Sequence, residues 1–272
     1  MKKSLKYREM IADVRRVVVK IGSRVLIQKT GRPDVRRIRE LVADLARIRR
    51  SGREVAVVTS GAIGAGMEAL GMKERPTALP DLQMAAAVGQ CRLMSRYAEL
   101  FGKQGFKVGQ ILLTHSDFQH KIRLTNARRT METLMRNRVI PIINENDAVA
   151  DEEIRADLAL GDNDFLASLV VKLIRADLMV LLTTVDGLRE HLPDGRTRRV
   201  RYVETINEKA LGLVKGGASP LSKGGMQSKL KAAGNVAEAG CMTVIANGRE
   251  TGVLTQIMAG TDVGTVVLAS GV

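Results

Sequence analysis

Val57-Val58-Thr59-Ser60-Gly61-Ala62-Ile63-Gly64-Ala65-Gly66 joins a short apolar run directly to a string of small residues. The run is brief and rich in valine, so it reads as the end of a buried strand that begins at Glu54. The glycines then turn the chain into a helix. A strand that delivers a glycine-rich turn onto a helix start is half of a βαβ unit, and the bare backbone N–H groups there suit an anion. The glycine order is GxxGxG, which is not the dinucleotide fingerprint GxGxxG, and GxxxxGK[ST] occurs nowhere in the chain. Tight helix–strand packing through small residues is the ordinary alternative.

Outward from this stretch the same alternation repeats. Before it, Arg16 to Ile21 (RVVVKI) reads as a buried strand, and Gly22-Ser23 turns out of it. Pro33 to Arg50 carries Val35, Ile38, Leu41, Val42, Leu45 and Ile48 at helical spacing, with Gly52 as a C-terminal stop. After it, the spacing predicts helices over 82–103, 124–138, 165–175 and 226–239, and strands over 107–113, 139–143, 178–183, 242–246 and 265–269. Strands alternating with helices predict an α/β fold with a mainly parallel sheet between helical layers. The simplest organisation is one compact domain over 1–272, with two lobes dividing near Leu178.

Composition narrows the classes. Aliphatic residues dominate and aromatics are 3%, which suits strands covered on both faces. No window supplies the ~18 apolar residues of a membrane span, and the charged start from Met1 to Arg16 has no apolar core of a secretory signal. Cys91 and Cys241 form no CxxC pair and read as free thiols of a cytoplasmic protein. His115, His120 and His191 have no metal-ligand spacing. The formal net charge of +14 permits nucleic acid or anionic small substrates as partners. The basic residues are dispersed and no stripe interleaves them with aromatics, which argues against a single-strand nucleic-acid platform.

Parallel sheets bind ligands beyond the carboxyl ends of their strands, and four such ends carry unusual chemistry. Lys20 lies inside an apolar strand, where its ammonium needs a partner unless it snorkels to the surface. Ser60 opens the glycine-rich turn. Asn144-Glu145-Asn146-Asp147 follows the strand 139–143, and Gly161-Asp162-Asn163-Asp164 opens a helix with more capping residues than one cap requires. Lys223-Gly224-Gly225-Met226-Gln227-Ser228-Lys229 opens another helix and is a second candidate phosphate cradle. Two lysines, two glycine-rich helix starts and two Asx-rich loops make the set that phosphoryl transfer needs, since catalysis there is positioning plus charge neutralisation.

With these residues in view, the chain resembles the glutamate 5-kinase family of the amino acid kinase superfamily. The matching segments run in the family's order: VVVKIGS (17–23), VVTSGAIGAG (57–66), AAAVGQ (85–90), NAR (126–128), PIINENDAVA (141–150), GDND (161–164) and GGMQSK (224–229). The resemblance implies a three-layer αβα sandwich and ATP-dependent phosphorylation of L-glutamate to γ-glutamyl phosphate, the first step of proline synthesis, with Mg²⁺ held mainly by the nucleotide. It implies that Lys20 and Lys229 stabilise the transferring phosphoryl group, that Asp164 orients them, and that Ser60, Asp147 and Asn163 hold glutamate. Lys20, Gly22, Thr183, Thr184 and the stretch Lys223 to Lys229 (Gly224, Gly225, Met226, Gln227, Ser228 included) would line ATP. It also implies an amino-acid-binding lobe over 1–177, a nucleotide-binding lobe over 178–272, a homo-oligomer (dimer or tetramer), and coupling to a glutamate-5-semialdehyde dehydrogenase. The family's C-terminal PUA domain is expected to be missing. Elementary chemistry agrees: a carboxylate nucleophile, with a reference pKa near ~4.3, is already ionised at neutral pH and needs no general base.

The chain departs from the family pattern at Arg24, where a small hydroxyl residue is common, at Thr184, where Asp usually follows Thr, at Ser222-Lys223, and over 155–160, which is longer than usual. Two rivals stand beside this expectation. One is a sister kinase acting on another carboxylate or phosphate acceptor. The other is a nucleic-acid-binding protein on the same fold, motivated by the charge.

Overall fold

The computed structural model describes residues 7–28, 33–149, 163–215 and 225–271. Its centre is an eight-stranded sheet in the order β3-β4-β2-β1-β5-β9-β10-β8. The strands are β1 (Arg16–Ile21), β2 (Glu54–Val58), β3 (Lys107–Leu113), β4 (Val139–Glu145), β5 (Leu178–Thr183), β8 (Tyr202–Val203), β9 (Met242–Asn247) and β10 (Thr265–Val267). All neighbours pair in parallel except β9 and β10. A separate hairpin pairs β6 (Arg189–His191) with β7 (Thr197–Arg199).

The central strands are almost purely apolar because both faces of the sheet are covered. Val17, Val19 and Ile21 of β1 pack into one core, against α2 (Val35–Arg50), α4 (Leu79–Gly102) and α10 (Val253–Met258). Val18 points into the other, against α6 (Lys121–Arg136), α7 (Asn163–Ile174) and α9 (Met226–Ala237). This is the expected αβα sandwich. Strand alternation puts Lys20 on the same face as Val18, toward α7 and α9. Short helices complete the chain: α1 (Ser23–Leu26), α3 (Ala62–Ala69), α5 (His115–Gln119) and α8 (Glu208–Lys215).

Element ends differ from the sequence expectation where local chemistry intervenes. α4 begins at Leu79 rather than 82, with Pro80 in its first turn, a position proline tolerates. α6 stops at Arg136 rather than 138, and Arg138 takes a left-handed φ of 59° before β4. α7 begins at Asn163, two residues early. The strand expected over 265–269 is confined to Thr265–Val267. Strands β6 to β8 and helices α5, α8 and α10 escaped the sequence reading because each is too short to display a period. Among the described residues no helix is long and apolar enough to cross a membrane.

Two glycines fix how the site helices meet. A Cβ on Gly66 of α3 would fall 1.8 Å from the carbonyl oxygen of Ala85, and one on Gly89 of α4 would fall 1.8 Å from that of Ala62. The two helices therefore touch backbone to backbone, which any side chain at these positions would prevent.

Candidate active site

Because β4, β2, β1 and β5 are adjacent and parallel, their carboxyl ends lie side by side on one edge of the sheet. Asn144 and Thr183 lie in the last residues of β4 and β5, Gly22 and Ser60 just beyond β1 and β2, and all four line one cavity of about 390 Å³. Lys20, Asp147, Asn163, Thr184 and Lys229 line it too.

At its base, Asp164 is completely buried and holds two lysines. Lys20 Nζ lies 2.7 Å from Asp164 Oδ1, and Lys229 Nζ lies 2.9 Å from Oδ2. Lys20 and Lys229 are only 3% and 5% exposed. Isolated charges at such depth would be costly, and pairing offsets the loss of solvent. Two ammonium groups thus meet on one carboxylate. Ser228 Oγ, 2.9 Å from the Gly225 carbonyl, also lies 3.2 Å from the same Asp164 Oδ2 and shares its one hydrogen between them. Ser228, expected along the nucleotide, thus also belongs to this cluster.

A second wall is neutral. Asn163 Nδ2, with two hydrogens to share, lies within hydrogen-bond distance of three acceptors: the Thr59 carbonyl at 2.5 Å, Ser60 Oγ at 2.9 Å and Asn144 Oδ1 at 3.0 Å. Behind it, the Thr59 and Tyr97 hydroxyls are 2.9 Å apart. Tyr97 is buried in α4, and burial pushes its phenol up to about 12 against the opposing effect of the Thr59 bond. Gly61 supplies a φ of +97° at the start of α3, which only glycine adopts without strain. This turn brings the residues after β2 over the cavity.

The remaining expected residues are distributed as follows. Gly225 precedes α9 in extended conformation, Met226 is half-buried against the second core, and Gln227 is exposed. Neither Met226 nor Gln227 lines the cavity. Lys223 and Gly224 lie outside the described residues, as do Gly161, Asp162, Ser222 and 155–160. Arg24 does line the cavity, and so does Arg75, which sequence reasoning missed because it stands in a polar loop with no pattern. Gln90 and Tyr97 were missed as well. Both occupy a helix, where their spacing looks like ordinary packing.

A model of the amino acid kinase family matches residues 15–247. The glutamate 5-kinase of Pelobacter propionicus is 42% identical over 263 residues, covering 96% of this chain and 69% of that protein. The glutamate 5-kinase of Lactiplantibacillus plantarum is 39% identical over 254 residues, covering 93% of this chain and 96% of that one. Among solved structures, a carbamate kinase from Giardia lamblia bound to AMP-PNP superposes with a TM-score of 0.65, at 15% identity, over 94% of this chain and 99% of that one. A UMP kinase from Bacillus anthracis does so at 0.60, also at 15% identity, over 95% and 97%. At that identity the two structures speak to the fold alone. The family match and the relatives at about 40% identity show that the chain belongs to the amino acid kinase family and, within it, to the glutamate 5-kinases.

Proposed function

We propose that this chain transfers the γ-phosphoryl group of ATP to the γ-carboxylate of L-glutamate, giving γ-glutamyl phosphate and ADP, the first step of proline synthesis. The observation that carries the mechanism is the buried pair of lysines on one aspartate. A glutamate carboxylate oxygen attacks phosphorus as the bond to the bridging oxygen breaks, and the electron pair leaves on the β-phosphate. No proton moves. The obstacle is repulsion between an anion and a polyanion, and preorganised cations remove it. Lys20 and Lys229 supply that charge, and Asp164 holds them in place. Ser60, Asn163 and Asp147 take the amino-acid end of glutamate, with Asp147 opposite its ammonium. Gly22, Thr183, Thr184 and the start of α9 take the nucleotide.

Magnesium is the implied metal. We assign it mainly to the nucleotide phosphates, the usual place for Mg²⁺. Residues 1–177 form the amino-acid-binding lobe in this reading and 178–272 the nucleotide-binding lobe. A cytoplasmic homo-oligomer that passes its labile acyl phosphate to a glutamate-5-semialdehyde dehydrogenase completes it.

Hydroxamate trapping of the acyl phosphate tests the activity, with glutamate, N-acetylglutamate and aspartate offered separately. ATP-dependent product is expected from glutamate. Comparable turnover of N-acetylglutamate, which lacks the ammonium, would overturn the assignment.

A further inference from the structure

Gln90, the last residue of the AAAVGQ segment, has no part in the chemistry described so far. It lies on α4, immediately after the glycine that lets α4 touch α3. Its Oε1 accepts from Asn144 Nδ2 at 2.8 Å. Asn144 Oδ1 in turn accepts from Asn163 Nδ2, and Asn163 Nδ2 also faces the Thr59 carbonyl.

That carbonyl decides the direction of the whole chain. A backbone carbonyl can only accept, so Asn163 must present its nitrogen there. The nearby atom of Asn144 must then be its oxygen. The nitrogen of Asn144 is thereby turned to Gln90, which must offer its own oxygen. One backbone group sets the sense of three side-chain amides, whatever orientation each would choose alone.

The consequence falls on the cavity. Asn163 keeps Oδ1 as an acceptor for an ammonium. Ser60 Oγ is the third oxygen beside Asn163 Nδ2, sharing its two hydrogens as an acceptor, and keeps its own hydroxyl hydrogen to donate. Asn144 commits one amide hydrogen to Gln90 and keeps the other. Donors for a carboxylate and an acceptor for an ammonium are what an α-amino acid requires.

We infer that Gln90 is a positioning residue for the amino-acid end of the site, closing this amide chain and holding Asn144 and Asn163 in one donor–acceptor sense. The inference rests on the proposed glutamate chemistry and adds a residue to it. Asn144 is 2% exposed, so bulk water does not take the place of Gln90. Gln90 Nε2 is buried with no hydrogen-bond partner among the described residues, so within this network the side chain is anchored through its oxygen.

Gln90→Met keeps the length of the side chain and removes the acceptor. Glutamate KM is expected to rise roughly 5- to 20-fold, as for loss of a bond to a buried donor. ATP KM and kcat should change less than about threefold, since only uniform binding is lost. Glutamate Kd, measured by calorimetry beside a non-hydrolysable ATP analogue, should rise in step with KM. Gln90→Ser is the second variant, should the first fail to fold, and is expected to move the same constants in the same direction. Unchanged glutamate KM and Kd in the folded variants would overturn the inference. A fall in kcat and melting temperature with unchanged Kd would also overturn it, by making Gln90 a packing residue. Wild-type protein that binds glutamate without phosphorylating it would overturn the proposed function, while the Kd comparison still decides the role of Gln90. Wild-type protein that neither binds nor phosphorylates glutamate would overturn both.

Discussion

Lys20 and Lys229, held from behind by Asp164, build one wall of the cavity from charge, whereas Ser60, Asn144 and Asn163 build another from neutral hydrogen-bonding groups. The two solve different problems. Phosphoryl charge moves during the reaction, and a buried cation responds to it with little demand on angle. An amino acid must be told from its analogues, which calls for short, directional bonds whose donors and acceptors cannot exchange. The supports differ accordingly. The charged wall needs a counter-ion at its centre, because two buried ammonium groups alone would repel. The neutral wall needs a fixed direction, and it takes that from the Thr59 carbonyl.

The contrast can be broken from the charged side, where the largest effects are expected. Lys20→Ala and Lys229→Ala should each lower kcat roughly 10²- to 10³-fold with little change in glutamate KM, because their charge matters most in the transition state. Asp164→Asn keeps the size and loses the charge. It should reduce kcat and lower stability together, since breaking a buried ion pair by removing one partner typically costs about 3–5 kcal/mol. Initial-rate kinetics beside thermal melting read both. Wild-type turnover in a lysine variant would remove that lysine from the catalytic set.

Asp147 tests the boundary between the walls, for it brings charge to the amino-acid end. Asp147→Ala should raise glutamate KM by roughly thirty-fold or more, the effect of truncating one partner of a buried charged pair. ATP KM should barely respond. Varying each substrate in turn checks this, and an unchanged glutamate KM would detach Asp147 from the ammonium.

The smallest effect is expected behind the neutral wall. Tyr97→Phe deletes the hydroxyl beside Thr59 Oγ1. Asn163 uses the carbonyl of Thr59 rather than its hydroxyl, so the amide chain should survive. Stability should fall by about 1 kcal/mol, the net value of one hydrogen bond, with glutamate KM nearly unchanged. A KM that rises as far as in Gln90→Met would show that the wall depends on the whole of α4.

From the residues alone it was already legible that Lys20, Ser60, Asn144, Asp147 and Thr183 lie at strand ends, and that the order of strands and helices makes an αβα sandwich. The physical reason is local. A parallel sheet covered on both faces demands apolar runs and leaves polar residues only where the strands stop. The antiparallel pairing of β9 with β10 carried no such mark, since an apolar run reads alike in either direction. Tertiary structure alone decided which side chains meet. Lys20 and Lys229 come from distant segments and share one carboxylate only because α7 and α9 dock on the face of β1 that carries Val18. Gln90 and Tyr97 reach the site because Gly66 and Gly89 let two backbones touch. Periodicity states that a helix has a buried face. It does not state what that face is buried against, and the chemistry of this site depends on those partners.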